Sequence, residues 1–378
     1  MKAYCGWLLS LTLIFSSAIT FNVKADDSFR VLRQQLDGYA TVVPGKRFIF
    51  PNDHGIHPDF RIEWWYLTAN LKDEQGQDWG MQWTLFRQSM DTKPVLKGWS
   101  SNQLWMAHAA ITTPAGHIHE QRFARGGINQ AGVTVATRAE LNQQAGENFE
   151  VWIDDWTWLA TSANPFPSVL TFSIGETKLS LNMSSTTPWV LNGDKGYSQK
   201  SGQGQASYYY SQPHIDVKGS VIKNGKSTKL SGHAWLDREW SSQPLSANQQ
   251  GWDWFSLHLN SDAALMVYRL RQTDGNHWLS GSWINANGQS QSLGPDDIKI
   301  TELDRRWVKA GDKEVKLPLQ WKIELPNVGV GKQWEVEALY DQQWMDTQFP
   351  YWEGVVNIDG GQAGVGYMEL TGYPLIGK

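Results

Sequence analysis

The amino-acid sequence predicts an all-β fold made of many antiparallel strands. Segments in which apolar and polar residues alternate recur along most of the 378-residue chain, and this period of two is that of a half-buried strand. Two Asn-Gly pairs, Asn224-Gly225 and Asn287-Gly288, separate such segments and are strong hairpin signals. Long amphipathic helical periods are scarce, and we expect only a short helix or a loop at 243–250. This pattern is typical of barrels and sandwiches.

The predicted strands follow one another in hairpins. Residues 63–71 and 79–85 each place their apolar side chains on one face, and the polar segment 72–77 between them predicts a turn. A Thr-Pro-Ala-Gly turn at 113–116 ends the next strand. The further strands predicted in this way are 104–112, 215–222, 229–236, 252–259 and 264–271.

The N-terminal segment has the features of a secretory signal peptide. Lys2 precedes an apolar stretch at 7–19, and the small residues Val23 and Ala25 follow it. We expect cleavage after Ala25, which makes the protein secreted or periplasmic. Cys5 is the only cysteine and would leave with the signal, so the mature chain would form no disulfide. No later segment approaches about 18 uninterrupted apolar residues, so no transmembrane segment is expected after cleavage.

The composition narrows the classes of function. Hydrophobic residues make up 40% of the chain and charged residues 19%, which is typical of a folded protein. The formal net charge of −5 gives no overall electrostatic attraction for nucleic acid or for anionic lipid headgroups. We therefore expect no nucleic-acid partner.

A polar stretch at 195–207, rich in Gly, Ser and Gln, lies near the middle of the mature chain. A linker there predicts two domains of similar size. A weak internal similarity agrees, because 61–64 resembles 238–240 and 80–83 resembles 251–254. The predicted organisation is a signal peptide at 1–25, a first barrel at 26–195, a linker at 196–207 and a second barrel at 208–378.

In a β-strand, every second side chain points to the same face, a rule that we call strand parity. Strand parity places four carboxylates on faces that are otherwise apolar: Glu63, Asp237, Glu239 and Asp253. His233 and Trp235 share the face of Asp237. A carboxylate on an apolar face is costly unless it is paired or protonated. One interpretation is that these acids line a ligand cavity with raised pKa values and donate a proton. The other is that they form buried bridges with the nearby arginines Arg61, Arg238, Arg269 and Arg271.

Parity favours the functional interpretation for Asp237 and Asp253 and the structural one for Glu63, and it leaves both open for Glu239. His54 and His57 form an H-x-x-H pair, and His117 and His119 have strand spacing. Hydrogen-bonded loop or surface histidines are the favoured interpretation of both pairs, so no metal site is expected. The sequence has no nucleophile elbow, phosphate-binding loop or dinucleotide fingerprint, and no cofactor is expected.

The chain contains 22 Trp, an unusually high number. Most are expected to fill barrel cores, because each indole buries a large apolar area. Some are expected to form the wall of a cavity for an apolar ligand, where an aromatic face can also stabilise a cation. A third interpretation is a set of exposed platforms that stack on sugars.

Seven blocks of the sequence form a recognisable set: 61–66, 79–87, 209–213, 232–240 (Gly-His-Ala-Trp-Leu-Asp-Arg-Glu-Trp), 251–255, 351–354 and 366–373. These blocks resemble the AttH/carotenoid 1,2-hydratase (CrtC-like) family. Together they extend over nearly the whole mature chain, and the chain is most similar to the exported branch often labelled predicted secreted hydrolase. The resemblance implies two packed lipocalin-like β-barrel domains and a hydrophobic or isoprenoid-like ligand.

The resemblance also implies roles for individual residues. Asp237 and Asp253 would be the acids that protonate an alkene, and His233 would relay a proton or position water. The ligand-binding residues would be Trp235, Trp240, Trp252, Trp254, Tyr209, Tyr210, Glu63, Trp65 and His108. This chain departs from the carotenoid enzymes in carrying Arg238 where they tend to carry His, which puts hydratase activity in question.

We expect a monomeric lipocalin-like protein that binds a lipid or isoprenoid-like molecule in the cell envelope. Relatives that occur beside transporter components imply envelope ABC-transporter components as partners. The alternative function is a hydratase, lyase or hydrolase-type enzyme that acts on an isoprenoid-like substrate through a carboxylic acid. The third function is glycan binding through exposed tryptophans.

Overall fold

The computed structural model describes residues 37–93, 95–135, 148–243, 245–246, 248–329 and 332–376. The expected signal peptide and its cleavage site lie outside this range. Within it, no helix is both long and apolar enough to cross a membrane. The helical elements of the described residues are three single 3-10 turns: Asn52–His54, Gly98–Ser100 and Pro295–Asp297. The prediction of an all-β chain is therefore confirmed.

The first half of the chain forms one large antiparallel sheet. Its strands are β1 (Ile62–Asp73), β2 (Asp78–Ser89), β3 (Gln103–Thr113), β4 (Gly116–Arg125), β5 (Ala131–Thr134), β6 (Glu150–Ile153), β7 (Trp156–Ala160), β8 (Ser168–Ile174), β9 (Thr177–Ser184), β10 (Val190–Leu191), β11 (Tyr197–Gln199), β12 (Ala206–Lys223) and β13 (Lys226–Ser241). The strand order is β4-β3-β2-β1-β13-β12-β9-β8-β7-β6-β5, and β10 and β11 both pair with β12. Strands β4 and β6 approach each other, so the sheet curls into a nearly closed barrel.

The second half forms a separate antiparallel sheet. Its strands are β14 (Gln249–Leu259), β15 (Ala264–Gln272), β16 (Trp278–Ile284), β17 (Ser290–Leu293), β18 (Lys299–Ala310), β19 (Lys313–Glu324), β20 (Gln333–Ala338), β21 (Trp344–Met345), β22 (Tyr351–Gly360), β23 (Gly364–Thr371) and β24 (Leu375–Ile376). The order is β17-β16-β15-β14-β23-β22-β20-β19-β18, with β21 beside β22 and β24 beside β19. The two curled sheets agree with the expected lipocalin-like fold.

The boundary between the two sheets lies further along the chain than the linker predicted from composition. Strands β12 and β13 follow the polar stretch at 196–207, yet they pair with β9 and β1 of the first sheet. The first sheet instead ends with β13 at Ser241, and the second sheet begins with β14 at Gln249. The polar stretch forms the turn between β11 and β12, which are themselves paired, and small polar residues favour tight turns as much as linkers. The Asn-Gly prediction holds at the β12–β13 turn, where Asn224 and Gly225 have φ of 51° and 73°.

Three apolar clusters organise the molecule. One fills the first barrel around Trp65 and Trp83, and a second fills the other barrel around Phe255 and Trp321. The third lies between the outer faces of the two sheets and contains residues of both, including Tyr66, Tyr209, Trp235, Trp254 and Tyr367. The strands at this contact are therefore covered on both faces, which positions a site between the two sheets.

Candidate functional site

A cavity of about 260 Å³ lies between the outer faces of the two sheets. Strands β1, β2, β3, β12 and β13 form one wall, and β14, β15, β22 and β23 form the other. Alternate residues of each strand point away from the barrel interiors, so the cavity belongs to neither barrel core.

The wall from the first sheet consists of rows of side chains that lie side by side on neighbouring strands. In the central row, Glu239 is beside Trp64, Trp64 beside Phe86, and Phe86 beside Met106. A second row contains Asp237, Tyr66 and His108, and a third contains Ser241, Ile62 and Gln88. The opposite wall presents Trp252, Trp254, Tyr268, Leu270, Tyr351 and Glu369. The surface is thus largely aromatic and aliphatic, with carboxyl groups at a few points.

Asp237 lines the cavity and is held by neutral hydrogen-bond donors. The Tyr209 hydroxyl donates to Oδ2 at 2.6 Å, while Ser211 Oγ and Trp235 Nε1 donate to Oδ1 at 2.5 and 2.7 Å. Burial, and to a smaller extent the charge of Glu239, raise the pKa of Asp237 to about 7, although the three hydrogen bonds lower it. No salt bridge involves Asp237 within the described part of the chain. This side chain can therefore carry a proton near neutral pH.

Glu369 lines the opposite wall, and a second carboxyl group, that of Glu353, lies next to it. Glu353 on β22 and Glu369 on β23 are direct cross-strand neighbours. Trp252 Nε1 donates to Glu369 at 2.7 Å, and the Tyr66 hydroxyl donates to Glu353 across the contact between the sheets. Burial raises the pKa of Glu369 to about 7, and burial followed by the charge of Glu369 raises the pKa of Glu353 well above its ordinary value. Ionising both of these carboxyl groups would place two negative charges close together in a buried site, which is energetically unfavourable.

Glu239 differs because it has a cationic partner. Lys200 Nζ lies 2.9 Å from its Oε1, and the ammonium also packs over the rings of Tyr209 and Tyr268. Burial lowers the pKa of Lys200, but the charge of Glu239 outweighs this effect and the pKa lies above its ordinary value. Lys200 and Glu239 thus form an ion pair in the wall of the cavity.

Glu63 and Asp253 each lie between two arginines. Glu63 is completely buried and pairs with Arg87 and, at 2.7 Å, with Arg238. Burial would raise its pKa, but the two guanidinium groups hold it well below the ordinary value. Glu63 touches the cavity, yet its carboxylate supports the structural interpretation.

The expected placement of Asp253 in the cavity is wrong. Asp253 accepts hydrogen bonds from Arg269 Nε at 2.7 Å, from Arg271 and from the Tyr373 hydroxyl at 2.8 Å. It does not line the cavity. Its parity places it inside the second barrel with Phe255, where only an ion pair makes a carboxylate tolerable.

The expected placement of His233 is also wrong. It is exposed and lies 3.3 Å from Asp216, another exposed residue. His233 does share the face of Asp237, but it lies four residues earlier, about 13 Å away along an extended strand. Strand parity predicted correctly that His233 and Asp237 share a face of β13. It could not predict that the cavity ends before it reaches His233.

The remaining expected ligand-binding residues fall into two groups. Trp252, Trp254, Tyr209, Glu63 and His108 line the cavity. Trp65 is inside the first barrel, and Trp240 and Tyr210 belong to an aromatic cluster with Phe48. Trp235 does not line the cavity but donates a hydrogen bond to Asp237.

His108 is in the cavity wall, where its Nδ1 forms a hydrogen bond with the Tyr351 hydroxyl at 2.9 Å. Burial lowers the pKa of His108 to about 3, so the ring is neutral. The residues that sequence reasoning missed are Tyr66, Lys200, Tyr268, Tyr351, Glu353 and Glu369. Parity applied to the blocks at 351–354 and 366–373 would have placed Glu353 beside Tyr351 and Glu369 beside Tyr367.

Three histidines outside the cavity, His54, His57 and His117, have hydrogen-bond partners. His54 Nδ1 bonds to the Tyr210 hydroxyl at 2.7 Å, His57 lies between Asp53 and Glu63, and His117 Nδ1 bonds to Thr112. The described residues contain no group of three or more His, Cys, Asp or Glu side chains that could hold a metal ion.

The chain is similar to proteins of known structure over most of its length. A candidate AttH from Nitrosomonas europaea is 34% identical, with a TM-score of 0.74 over 88% of this chain and 99% of that chain. Kievitone hydratase from Nectria haematococca is 14% identical, with a TM-score of 0.61 over 89% and 97% of the two chains, and shares the fold. CghA, solved with Sch210972, is also 14% identical and shares the fold, with a TM-score of 0.56 over 90% and 98%.

No curated protein sequence matches the chain significantly. The model of the AttH-like family, however, matches residues 41–373, a span that includes every residue of the cavity and every strand of both sheets except the terminal β24. The chain belongs to the AttH-like family.

Proposed function

We propose that the protein binds a largely apolar, isoprenoid-like molecule between its two sheets and adds water to it, or removes water from it, by proton transfer from Asp237. The observation that carries this proposal is a buried carboxyl group with a pKa of about 7 that faces an aromatic cavity and has only neutral donors as partners. The hydratase among the structures of similar fold agrees with this chemistry.

The walls suit a ligand with an apolar body and one reactive end. Trp64, Phe86 and Met106 on one side and Trp252 and Trp254 on the other supply apolar contact area. The carboxyl groups of Asp237 and Glu369 mark the reactive end. A volume of about 260 Å³ is slightly below the usual range of roughly 300–1,000 Å³ for small-molecule sites, which favours a short ligand or one segment of a longer chain.

The addition of water would proceed in two proton-balanced steps. The Asp237 carboxylic acid gives its proton to one carbon of the alkene, and the π electrons form the new C–H bond and leave a cation on the other carbon. The aromatic faces of Trp252 and Trp254 stabilise that cation. The oxygen of a water molecule then forms the C–O bond, and the proton released by this water returns to the Asp237 carboxylate. The reverse sequence removes water.

Substitution of the acid tests the proposal. Asp237→Asn keeps the shape and the hydrogen-bond acceptor but removes the transferable proton, so we expect hydration to fall at least about 100-fold. Incorporation of ¹⁸O from labelled water into a panel of isoprenoid alkenes measures the rate. Asp216→Asn, at an exposed position, is the matched control. Absence of label with the unaltered protein across the panel would contradict the hydratase function.

A carrier without chemistry is the second candidate, and the apolar walls of the cavity favour it. Native mass spectrometry of the purified protein would detect a bound lipid, and Asp237→Asn would retain it. A bound lipid without label incorporation would identify a carrier. Glycan binding has less support, because the exposed Trp99 and Trp307 lie in different halves of the molecule and form no common platform.

The cellular setting belongs to the same proposal. Export through the N-terminal segment, a monomeric state and contact with envelope ABC-transporter components stay predictions from the sequence. N-terminal sequencing of the protein recovered from the periplasm tests export, and a first residue of Asp26 is expected. An uncleaved protein in the cytoplasm would contradict it.

A further inference from the structure

An exposed apolar group lies between β2 and β3, in a molecule that buries most of its tryptophans. Trp99 is 75% exposed, and Val95 and Leu96 are each 47% exposed. Lys93 and Lys97 are exposed on either side of Val95 and Leu96. We call these five residues the loop patch. Apolar side chains grouped in this way on a surface usually mark a binding site.

The base of the loop is fixed by hydrogen bonds, so its tip projects outward. The backbone N–H of Met90 donates to Asn102 O at 2.8 Å, and Asn102 Nδ2 donates to Asp91 Oδ1 at 2.7 Å and to Lys93 O at 2.9 Å. On the other side, Gly98 N–H donates to Gly127 O at 2.8 Å.

Gly127 permits this close approach because it has a φ of 82° and no side chain. A Cβ at this position would lie 2.6 Å from Gly98 O. The loop is thus held against the end of β4 by backbone contacts rather than by burial of its apolar residues.

An apolar strip connects the cavity with the edge of the first sheet, close to the loop. Phe86 and Met106 line the cavity, and Phe123 on β4 is the cross-strand neighbour of Met106. Phe123 is 53% exposed. In the adjacent row, the exposed Leu104 is paired with Arg125, which is also exposed. The apolar wall of the cavity therefore continues to the surface on the side from which the loop projects.

We propose that the loop patch docks the protein onto an anionic lipid bilayer, from which the apolar ligand of the cavity is taken up. Trp99 would lie at the level of the headgroups with Leu96 and Val95 below it, and the two lysines would contact lipid phosphates. This inference rests on the proposed function for the nature of the ligand.

The net charge of −5 does not oppose docking at this position. Attraction to a lipid surface acts within about one Debye length, roughly 8 Å at physiological salt, so the charges of the loop decide it. Asp91 is the acidic residue of this loop; Asn102 holds its carboxylate at the base, and Lys93 Nζ lies 3.7 Å from its Oδ2. Lys93 thus offsets the charge of Asp91, and Lys97, exposed beside the apolar tip, supplies the net positive charge of the loop.

Vesicle co-sedimentation tests the proposal with protein purified from cells that express the full chain. The probe is phosphatidylcholine vesicles with and without phosphatidylglycerol. We expect binding only to the anionic vesicles, a loss of binding with Trp99→Ser, and a decrease of about fivefold for each lysine replaced in Lys93→Gln and Lys97→Gln. Trp307→Ser, at a 53%-exposed tryptophan of the second sheet, is the matched control and should bind normally.

Brominated lipids identify the inserted residue. Trp99→Phe should still bind, because phenylalanine also inserts, but it should lose the quenching of tryptophan fluorescence that the unaltered protein displays. The proposal is overturned if the unaltered protein does not bind anionic vesicles, or if all variants bind them as strongly as the unaltered protein. It is also overturned if the loop variants bind vesicles normally and lose only a protein partner.

This test is separate from the test of the catalytic site. Asp237→Asn should bind vesicles normally. Trp99→Ser should hydrate a detergent-dispersed substrate at the normal rate and lose activity only on substrate held in a bilayer.

Discussion

Asp237 and Asp253 have similar sequence surroundings and opposite environments. Each carboxylate is on a strand beside tryptophan and shares a face with apolar residues. Asp237 points outward from the first sheet, and neutral donors surround it beside the cavity. Asp253 points into the second barrel, where Arg269 and Arg271 neutralise it. A buried acid thus becomes available for chemistry only where the fold leaves a cavity beside it and places no guanidinium next to it.

Glu63 makes the comparison clearer, because it is the counterpart of Asp253 in the first barrel. Glu63 on β1 pairs directly with Arg87 on β2, and Asp253 on β14 pairs directly with Arg269 on β15. Both acids are held by two arginines, although Glu63 also touches the cavity and Asp253 does not. The sequence similarity between 61–64 and 238–240 was expected to relate the two barrels. Instead, these segments belong to the neighbouring strands β1 and β13 of one sheet.

The largest effect is expected from neutralising Asp253. Asp253→Asn leaves two buried arginines without their common partner, and the free energy of unfolding should fall by about 3–5 kcal/mol. Urea denaturation measures this loss, with Asp216→Asn as the exposed control. If Asp253→Asn unfolds like the unaltered protein but loses hydration activity, Asp253 is a catalytic acid and the comparison with Asp237 is wrong.

The pH dependence of stability should come from Asp237 and its neighbours. Folding raises the pKa of Asp237 from 3.8 to about 7, so between these pH values the folded protein holds a proton that the unfolded chain has lost. The free energy of unfolding should therefore fall as pH rises through this window, by about 4 kcal/mol for a shift of three units, and level off above it.

Urea titrations at a series of pH values test this, and Asp237→Asn should reduce the slope. Glu369 should contribute in the same direction, since burial raises its pKa to about 7 as well. Hydration activity should decline above that pH because the proton donor is then ionised. Identical pH profiles of the variant and the unaltered protein would contradict a protonated Asp237.

The smallest effect is expected at His233. The side chain is exposed and its pairing with Asp216 is at the surface, so His233→Ala should change the free energy of unfolding by no more than about 0.5 kcal/mol. Hydration should be unchanged. A clear loss of activity would mean that the cavity extends further along β13 than the structure places it.

Part of the site could be inferred from strand parity and part from the family resemblance. Parity identified Asp237, and the resemblance identified Trp252, Trp254, Tyr209 and His108, all of which line the cavity. Parity fails at Asp253 because the period of two cannot tell the inside of a barrel from the contact between two barrels. Both faces of these strands are covered by apolar residues, so either side resembles a core.

The partners of each acid depend on long-range strand pairing. Tyr66 reaches Glu353 across 287 positions of the chain, and Lys200 reaches Glu239 from a segment that the composition assigned to a linker. The pKa of each acid follows from these neighbours. Neighbours of this kind are set by the register and order of strands rather than by any local pattern.

The sequence by itself determined the all-β class, the hairpins, the family and the set of acids that stand among tryptophans. The fold class, the hairpins and the placement of the acids depend on residue period and turn chemistry, which act between neighbours in the chain, and the family follows from the resemblance of the sequence blocks. Only the tertiary structure decided which acid is neutralised and which faces the cavity, because burial and charge pairing depend on the side chains that distant strands bring together. Tertiary structure also left Trp99 at the surface while most other indoles are buried, since backbone contacts at Gly127 and Asn102 hold its loop away from the cores.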